Sequence, residues 1–367
     1  MSVPLAEACR LIGANVQFEP LLVEHSVHYT WWNSAHHLSG LLMRRLLVAA
    51  LLIAATCSQV LAWSEAGHKI IGSIAYRQLT PDQQAKIVAI LKNHPRWEED
   101  FQSNMPDELT TETEKNEWIF QQAAVWPDMA RSFKDDAKQF NHPTWHYIDL
   151  PTYLTPDDRS ALEGTLKENI SLEAPAQEQE NLNVVQAIRL ARKLLADKDT
   201  PDAKKAVMLC WVFHDVGDIH QPLHSTALYS KNLFPTGDKG GNMIKTDQRQ
   251  NLHAVWDQFL GVRAPFRTAH NRAIKLVNDP DSSQFGTQAA TQLDEKTWLD
   301  ESHELAESTA YDSEVTGFLR GFVNETEAPP IHLTERYLKT GGNLAERRVV
   351  QAGYRVGAVL KEIVGVN

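Results

Sequence analysis

One eleven-residue segment, residues 214–224, contains three histidines and two aspartates. Histidine nitrogens and aspartate oxygens are ligands of zinc in proteins. His214 and Asp218 are four residues apart, so on a helix their side chains project from one face. Pro222 is expected to end that helix, which lets His224 approach from the following turn. The segment therefore predicts the centre of a multi-metal site.

Two further segments carry the same residue types. Asp128 is expected just after a helix, with Arg131 three residues later, and His253 and Asp257 form a second pair four residues apart. An isolated pair with this spacing is usually an ordinary contact along a helix. Several such elements in one chain favour a joint metal site.

Two other histidines need separate interpretations. His146 lies between aromatic residues with Asp149 nearby, and we interpret it as a ligand, with His142 as the alternative. His220 lies off the helical face that His214 begins. We therefore expect His220 to hydrogen-bond behind the ligands instead of binding metal.

The N-terminal region carries an expected export signal. Residues 43–45 give it a positive start, residues 46–57 are apolar but too short to span a membrane, and residues 60–62 resemble a small-residue cleavage site. We therefore expect residues 1–42 to be an over-extended reading, residues 43–62 to be a signal peptide, and residues 63–367 to form the mature domain. The amino and carbonyl groups of Trp63, together with His68, then become further candidate ligands. The mature protein is expected to be secreted or periplasmic.

Composition restricts the function classes. The 367-residue chain is 43% hydrophobic, enough for a sizeable core, and its formal net charge of -11 argues against gripping duplex nucleic acid through a basic surface. Nucleic-acid chemistry at a small site is still allowed, because bound cations bring their own positive charge. Of the three cysteines only Cys210 would remain in the mature chain, so no intramolecular disulfide is expected.

The hydrophobic pattern is helical nearly throughout, which predicts a single large all-α domain without a membrane span. Thr80 and Pro81 are expected to cap and begin the second helix. Surface loops are expected over residues 157–174 and 230–245, which are rich in glycine, proline and charge. A further helix is expected to begin at Pro201 and to end in the segment 214–224, before Pro222. The other expected helices cover residues 65–79, 81–91, 117–125, 182–195, 251–260, 298–310 and 333–364.

The order of these motifs resembles the zinc-dependent single-strand nucleases of fungi and plants, the S1/P1 nuclease family, which also has bacterial members. The resemblance covers nearly all of the mature chain and implies an all-α fold with three zinc ions at the bottom of a cleft. The motifs are Trp63 followed by Gly67-His68, Trp126-Pro127-Asp128, His146-Tyr147-Ile148-Asp149, the segment 214–224, Gly240-Gly241-Asn242, and His253 with Asp257.

The resemblance also implies roles for individual residues. Asp218 would bridge two zinc ions, and Arg131 would meet the phosphate. Tyr147, Asp149 and Asn242 would stack on and hydrogen-bond a nucleobase. The implied zinc ligands are Asp128, His146, His214 and Asp218 for the first ion, His224, His253 and Asp257 for the second, and Trp63, His68 and Asp218 for the third.

Two departures from the fungal and plant pattern affect these expectations. Those enzymes carry disulfides that this chain cannot make. The segment between His224 and Asn242 also looks longer here, which puts the role of Asn242 and the base preference in doubt.

The expected activity is hydrolysis of single-stranded DNA, RNA and 3′-nucleotides, which gives 5′-phosphate products. Zinc ions that share an aspartate can activate a hydroxide for this reaction, and a base must be unpaired to stack in the cleft. No obligate protein partner is evident. One alternative is a zinc phospholipase C, which resembles the family in fold and lacks the pair formed by Asp149 and Asn242. A non-catalytic secreted zinc-binding protein is the other.

Overall fold

The structure is a computed structural model that describes residues 63–365. These residues lie within one unit, Val60–Asn367. The predicted over-extended segment and signal peptide, residues 1–62, lie outside the described residues, so the start of the mature chain stays a prediction.

Helices dominate the described chain, which confirms the predicted all-α class. The α-helices are α1 (Glu65–Arg77), α2 (Pro81–Leu91), α3 (Glu112–Ala130), α4 (Pro156–Leu162), α5 (Val184–Ala196), α6 (Asp202–Asp218), α7 (Leu252–Asp257), α8 (Phe266–Asn278), α9 (Pro280–Ala289), α10 (Glu295–Leu305), α11 (Ser313–Arg320) and α12 (Glu335–Gly365). Short π-helical turns span Trp97–Phe101 and Ala306–Ala310, and 3₁₀ turns span Gln102–Asn104, Asp135–Phe140 and Pro222–His224. Among residues 63–365, no helix combines the length and the apolar composition that crossing a bilayer requires.

Local sequence signals account for several helix starts. The Thr80 side chain accepts a hydrogen bond from the Gln83 backbone N–H, and the Gln83 side chain accepts one from the Thr80 N–H. This capping box, with Pro81 in the first turn, begins α2 as predicted. Asn183 forms the same arrangement with Gln186 at the start of α5.

The core forms around α6. Helix α1 packs against α3 and α12, while α6 packs against α3 and α5. Helix α6 is buried on all sides from Ala206 to its C-terminal end at Asp218. A helix of this kind is held by tertiary packing on every face, and it therefore gives a rigid support for the side chains at its end.

A second apolar cluster lies beside this core. Two short parallel strands, β1 (Pro151–Tyr153) and β2 (Ala227–Tyr229), pair with Thr152 opposite Leu228. Leu228 and Trp256 are fully buried there, and Tyr337 of α12 accepts a 2.9 Å hydrogen bond from the Trp256 indole. The strands thus bring the segment after His146 next to the segment after His224.

Three sequence expectations differ from the structure. Asp128 does not follow a helix, because α3 continues through Pro127 to Ala130. A proline in the last turn removes only one backbone hydrogen bond, and the burial of the Pro127 side chain offsets that loss. The expected loop over residues 157–174 begins in α4. Helices α8, α9 and α11 were not predicted.

Candidate metal centre

The last turn of α6 carries the centre of the site. His214 and Asp218 are fully buried on one face, as their spacing predicts, and His214 Nε2 lies 3.1 Å from Asp218 Oδ2. The chain leaves the helix after Asp218 and turns through Pro222 to His224.

The first group of candidate ligands forms around His214. His146 arrives from the loop before β1 and places its Nδ1 2.9 Å from His214 Nε2 and 3.0 Å from Asp218 Oδ2. Asp128 Oδ1, in the last turn of α3, lies 3.8 Å from His214 Nε2. The four residues expected to share one ion are therefore together.

The other oxygen of Asp218 faces a different histidine. His68 of α1 places its Nε2 3.1 Å from Asp218 Oδ1, and its ring stacks on His214 with ring centres 3.9 Å apart. Trp63 is buried just before α1 and lies against Gly67, one residue before His68. One carboxylate thus has an oxygen in each of two neighbouring groups.

A further group forms on the other side of the site. His224 Nε2 lies 3.1 Å from His253 Nε2, which lies 3.3 Å from Asp257 Oδ2. All three residues are buried. Gln221 donates a 2.7 Å hydrogen bond from Nε2 to Asp257 Oδ1 and so orients the Asp257 carboxylate.

Backbone carbonyls fix the ring orientation of three histidines. A carbonyl oxygen only accepts hydrogen bonds, so each Nδ1 must carry a proton, and the neutral form of each ring then keeps a lone pair on Nε2. This is the form that binds a metal ion. The pairs are His214 Nδ1 with Ala124 O at 2.8 Å, His224 Nδ1 with His146 O at 2.6 Å, and His253 Nδ1 with Gly240 O at 2.6 Å.

Burial sets the charge of the site. It lowers the pKa of His146 to about 3, with Arg131 adding to the effect, and lowers the pKa of His253 to about 3, with His224 adding. Burial alone would raise the pKa of Asp218, but His214 and His224 outweigh it and hold that pKa well below its usual value. Burial would also lower the pKa of His214, but Asp218 and Asp128 outweigh it and raise that pKa. The neutral His146 and His253 rings beside an ionised Asp218 carboxylate match the protonation states that metal binding requires.

Several polar atoms here have no hydrogen-bond partner among residues 63–365, although they are fully buried. They are both ring nitrogens of His68, Nε2 of His146, Oδ1 of Asp218 and both carboxylate oxygens of Asp215. Buried polar groups are rarely left unpaired in folded proteins. Four groups of ligand atoms, each within 4.8 Å, could hold a metal ion, and the donor set of imidazoles and carboxylates fits a divalent cation.

A cleft of about 360 Å³ opens onto this centre. His146, His224 and His253 lie at its wall, together with the predicted substrate-binding residues. Arg131 donates from Nε to Asp128 Oδ1 at 2.9 Å, and within the described chain its Nη groups form no hydrogen bond. The predicted substrate-binding residues that line the cleft are Arg131, Tyr147, Asp149 and Asn242.

His142 and His220 lie outside the three groups of candidate ligands. His142 stacks on Trp145 at 3.9 Å and lies 3.1 Å from Glu178, so the structure favours His146 over it as the candidate ligand. His220 donates from Nδ1 to Val216 O and accepts at Nε2 from Arg355, 2.7 Å away. It ties the segment after α6 to α12 and does not contact the candidate ligands through these bonds.

The sequence analysis did not single out two glycines whose lack of a side chain allows close packing around the site. A Cβ at Gly217 would lie 3.0 Å from His68 Nδ1, so glycine is what lets α1 approach α6 this closely. Gly240 has a φ of +59°, and a Cβ there would overlap the Leu223 carbonyl oxygen. The exposed Lys239, which also lines the cleft, was not assigned a role.

The fold and site together define an all-α protein with a candidate multi-metal centre at the wall of a cleft. A model of the family described as S1/P1 Nuclease matches residues 63–365. The chain belongs to the S1/P1 nuclease family.

Three plant proteins illustrate the similarity. Endonuclease 4 of Arabidopsis thaliana is 27% identical over 161 residues, which are 42% of this chain and 50% of that protein. Endonuclease 5 of the same plant is 28% identical over 159 residues, 42% and 50% respectively. The chain thus spans about half the length of these two relatives. Endonuclease 1 is 24% identical over 330 residues, 87% of this chain and 93% of that protein.

Replacing Gly217 by alanine tests the close packing behind the centre. We expect Gly217→Ala to lower the free energy of unfolding by about 1–3 kcal/mol, because the new methyl group overpacks against His68. Chemical denaturation measures this. Gly317→Ala is the control, since nothing lies within 4 Å of a Cβ at that position in α11, and it should be neutral or stabilising. Equal effects of the two substitutions would contradict the packing argument.

Proposed function

We propose that the protein is a secreted zinc-dependent phosphodiesterase that cleaves single-stranded DNA and RNA, and 3′-nucleotides, to 5′-phosphate products. The single observation that carries the proposal is the Asp218 carboxylate, whose two oxygens face separate histidine groups at 3.0–3.1 Å beside an open cleft. Membership of the S1/P1 nuclease family supports the choice of reaction, and the small-residue cleavage site before Trp63 supports export.

Three ions would fit the donor set, with Asp218 shared between two of them. Bound zinc would supply Lewis-acid charge that lowers the pKa of a water molecule and offsets negative charge on a phosphate. The proposed ligands are Asp128, His146, His214 and Asp218 for the first ion, His224, His253 and Asp257 for the second, and His68, Asp218 and the main-chain amino and carbonyl groups of a mature Trp63 for the third.

The residues of the cleft would position the substrate. Arg131, whose Nε is held by Asp128, would present its Nη groups to the phosphoryl oxygens and stabilise charge that grows there during the reaction. Tyr147 would stack on one base, and Asp149 with Asn242 would hydrogen-bond its edge. The Asn242 amide also donates to Lys239 O at 2.7 Å and accepts from Asn251 Nδ2 at 3.3 Å, so its neighbours fix its orientation in the cleft.

Base stacking explains why the substrate would be single-stranded. A paired base cannot leave its stack to reach Tyr147, whereas an unpaired base can. Local cations and stacking would also replace the basic surface that a protein with a net charge of -11 lacks.

A zinc phospholipase C is the second candidate, because the same ligands could serve a lipid phosphodiester. Asp149 and Asn242 line the same cleft as the histidines, and a pair of base-edge partners favours a nucleotide. A non-catalytic zinc-binding protein would not need Arg131 turned into an open cleft.

A substrate panel tests the proposed activity. The mature protein, loaded with zinc, is incubated with single-stranded DNA, RNA, duplex DNA, a 3′-mononucleotide and phosphatidylcholine. We expect cleavage of both single strands with 5′-phosphate ends, release of phosphate from the 3′-mononucleotide, and much slower attack on the duplex. Head-group release without nucleic-acid cleavage would support the phospholipase instead, and no turnover would support the binding protein.

Removing Asp218 tests the shared ligand. Asp218→Ala should abolish activity and lose more than one zinc per chain, because its two oxygens serve two groups. Asp257→Ala is the matched control and should lose one zinc. Elemental analysis of the purified variants measures both. A full zinc complement in Asp218→Ala would contradict the bridging role.

The pKa of Asp149 predicts a pH-dependent base preference. Burial raises this pKa to about 7, and the charges of Asp238 and Glu168 add to the effect. The ionised carboxylate accepts from the two N–H donors of guanine, whereas the neutral acid can donate to adenine and accept from it. The ratio of kcat/KM for a guanine over an adenine oligonucleotide should therefore rise about tenfold as the pH increases through 7.

Asp149→Asn supplies the control, because it cannot titrate. The use of a ratio cancels the pH dependence of the chemical step, which both substrates share. A guanine-to-adenine ratio that stays constant with pH in the unmodified protein would exclude Asp149 as the group that sets the base preference. A ratio that changes equally in Asp149→Asn would exclude it as well.

A further inference from the structure

One buried carboxyl group beside the candidate centre has no assigned role. Asp215 follows His214 directly on α6 and is fully buried. Neither of its carboxylate oxygens has a hydrogen-bond partner among residues 63–365. The neighbouring buried positions Trp211, Val212 and Val216 are apolar, so α6 could accommodate an apolar residue at position 215.

An unpartnered buried carboxyl group is costly. Moving such a group out of water without a hydrogen bond is unfavourable, and more so when it is ionised. Two other acidic residues, Asp128 and Asp218, lie in the same region, and their negative charges disfavour ionisation of Asp215. A folded protein keeps such an arrangement when a partner from outside the chain compensates it.

Arginines at the end of α3 and on α12, two helices that both pack against α6, form ion pairs with other acids. Arg131 donates to Asp128, while Arg348 and Arg355 both bind Glu301, at 2.9 and 2.7 Å. Within residues 63–365, none of the three forms an ion pair with Asp215. The charge of Arg131 favours ionisation of Asp215 without direct contact, so the described residues leave room for a positive partner from outside the chain.

The position of Asp215 indicates that source. One oxygen of Asp215, one nitrogen of His146 and one oxygen of Asp218 all lie within 4.8 Å of one another. His146 Nε2 also has no hydrogen-bond partner in the described residues. A carboxylate without a partner thus lies beside His146 and Asp218, two of the residues proposed to hold the first cation of the centre.

We propose that Asp215 is an additional negative group of this subsite, so that the affinity of the subsite for a divalent cation depends on the Asp215 carboxylate. The proposal rests on the proposed metal centre and adds to its ligands a carboxylate that acts on the same cation. In the metal-free protein the group is uncompensated and destabilises the fold, and with the cation bound it stabilises the complex.

Asp215→Asn tests this dependence without a measurement of activity. Zinc affinity is measured by competition with a chromophoric chelator, and the melting temperature is measured for the metal-free and the zinc-loaded protein. We expect one of the bound zinc ions to be held about 10- to 100-fold less tightly. We also expect the metal-free variant to melt at a higher temperature than the unmodified metal-free protein.

Two further variants keep the result interpretable. Asp215→Leu should give the same two changes, since it also removes the charge, and it replaces Asp215→Asn if that variant fails to fold. Asp158→Asn is the control, because Asp158 is buried but accepts hydrogen bonds from Thr155 and the Lys231 backbone. Asp158→Asn should lower the melting temperature and leave zinc affinity unchanged. Only the loss of a group at the metal site should weaken zinc binding while it raises the melting temperature of the metal-free protein.

The outcomes separate this inference from the proposed function. Unchanged zinc affinity in both Asp215 variants, with tight binding by the unmodified protein, would overturn the role of Asp215 and leave the metal centre intact. Failure of the unmodified protein to bind zinc would contradict the proposed function, and the role of Asp215 with it.

Discussion

The buried carboxylate of Asp218 is the contact around which the rest of the site is arranged. Its Oδ2 lies 3.0 Å from His146 and 3.1 Å from His214, while its Oδ1 lies 3.1 Å from His68. An ionised buried carboxylate is stable only if positive charge is brought to it. Burial disfavours protonation of His214, but Asp218 and Asp128 outweigh it and raise the pKa of that ring. Three structural elements, α1, α6 and the loop before β1, must therefore meet at one point.

The fold meets that requirement by close packing and by backbone hydrogen bonds. Gly217 lets the His68 ring lie directly against α6, and the carbonyl of His146 holds the ring of His224 on the opposite side. Helix α12 holds the segment after α6, because its Arg348 donates to the His220 carbonyl at 3.0 Å. The ligands of all groups are thus fixed through α6, and a displacement of this helix would affect each of them.

The sequence predicted the helices with strong 3.6-residue periodicity, such as α5, and the ligand pairs four residues apart on α6 and α7. It did not predict α8, α9 or α11. Asp128 was placed outside a helix because proline usually ends one, whereas tertiary burial keeps α3 intact through Pro127. The roles of Gly217 and Asp215 depend on contacts between distant elements, and local spacing contains no signal for them.

The central claim is that Asp218 joins two of three neighbouring metal positions. Anomalous X-ray diffraction at the zinc absorption edge, on crystals of the zinc-loaded mature protein, measures this most directly. We expect three peaks, with one on each side of the Asp218 carboxylate and the third among His224, His253 and Asp257. A single peak, or peaks away from Asp218, would contradict the bridging role of this residue.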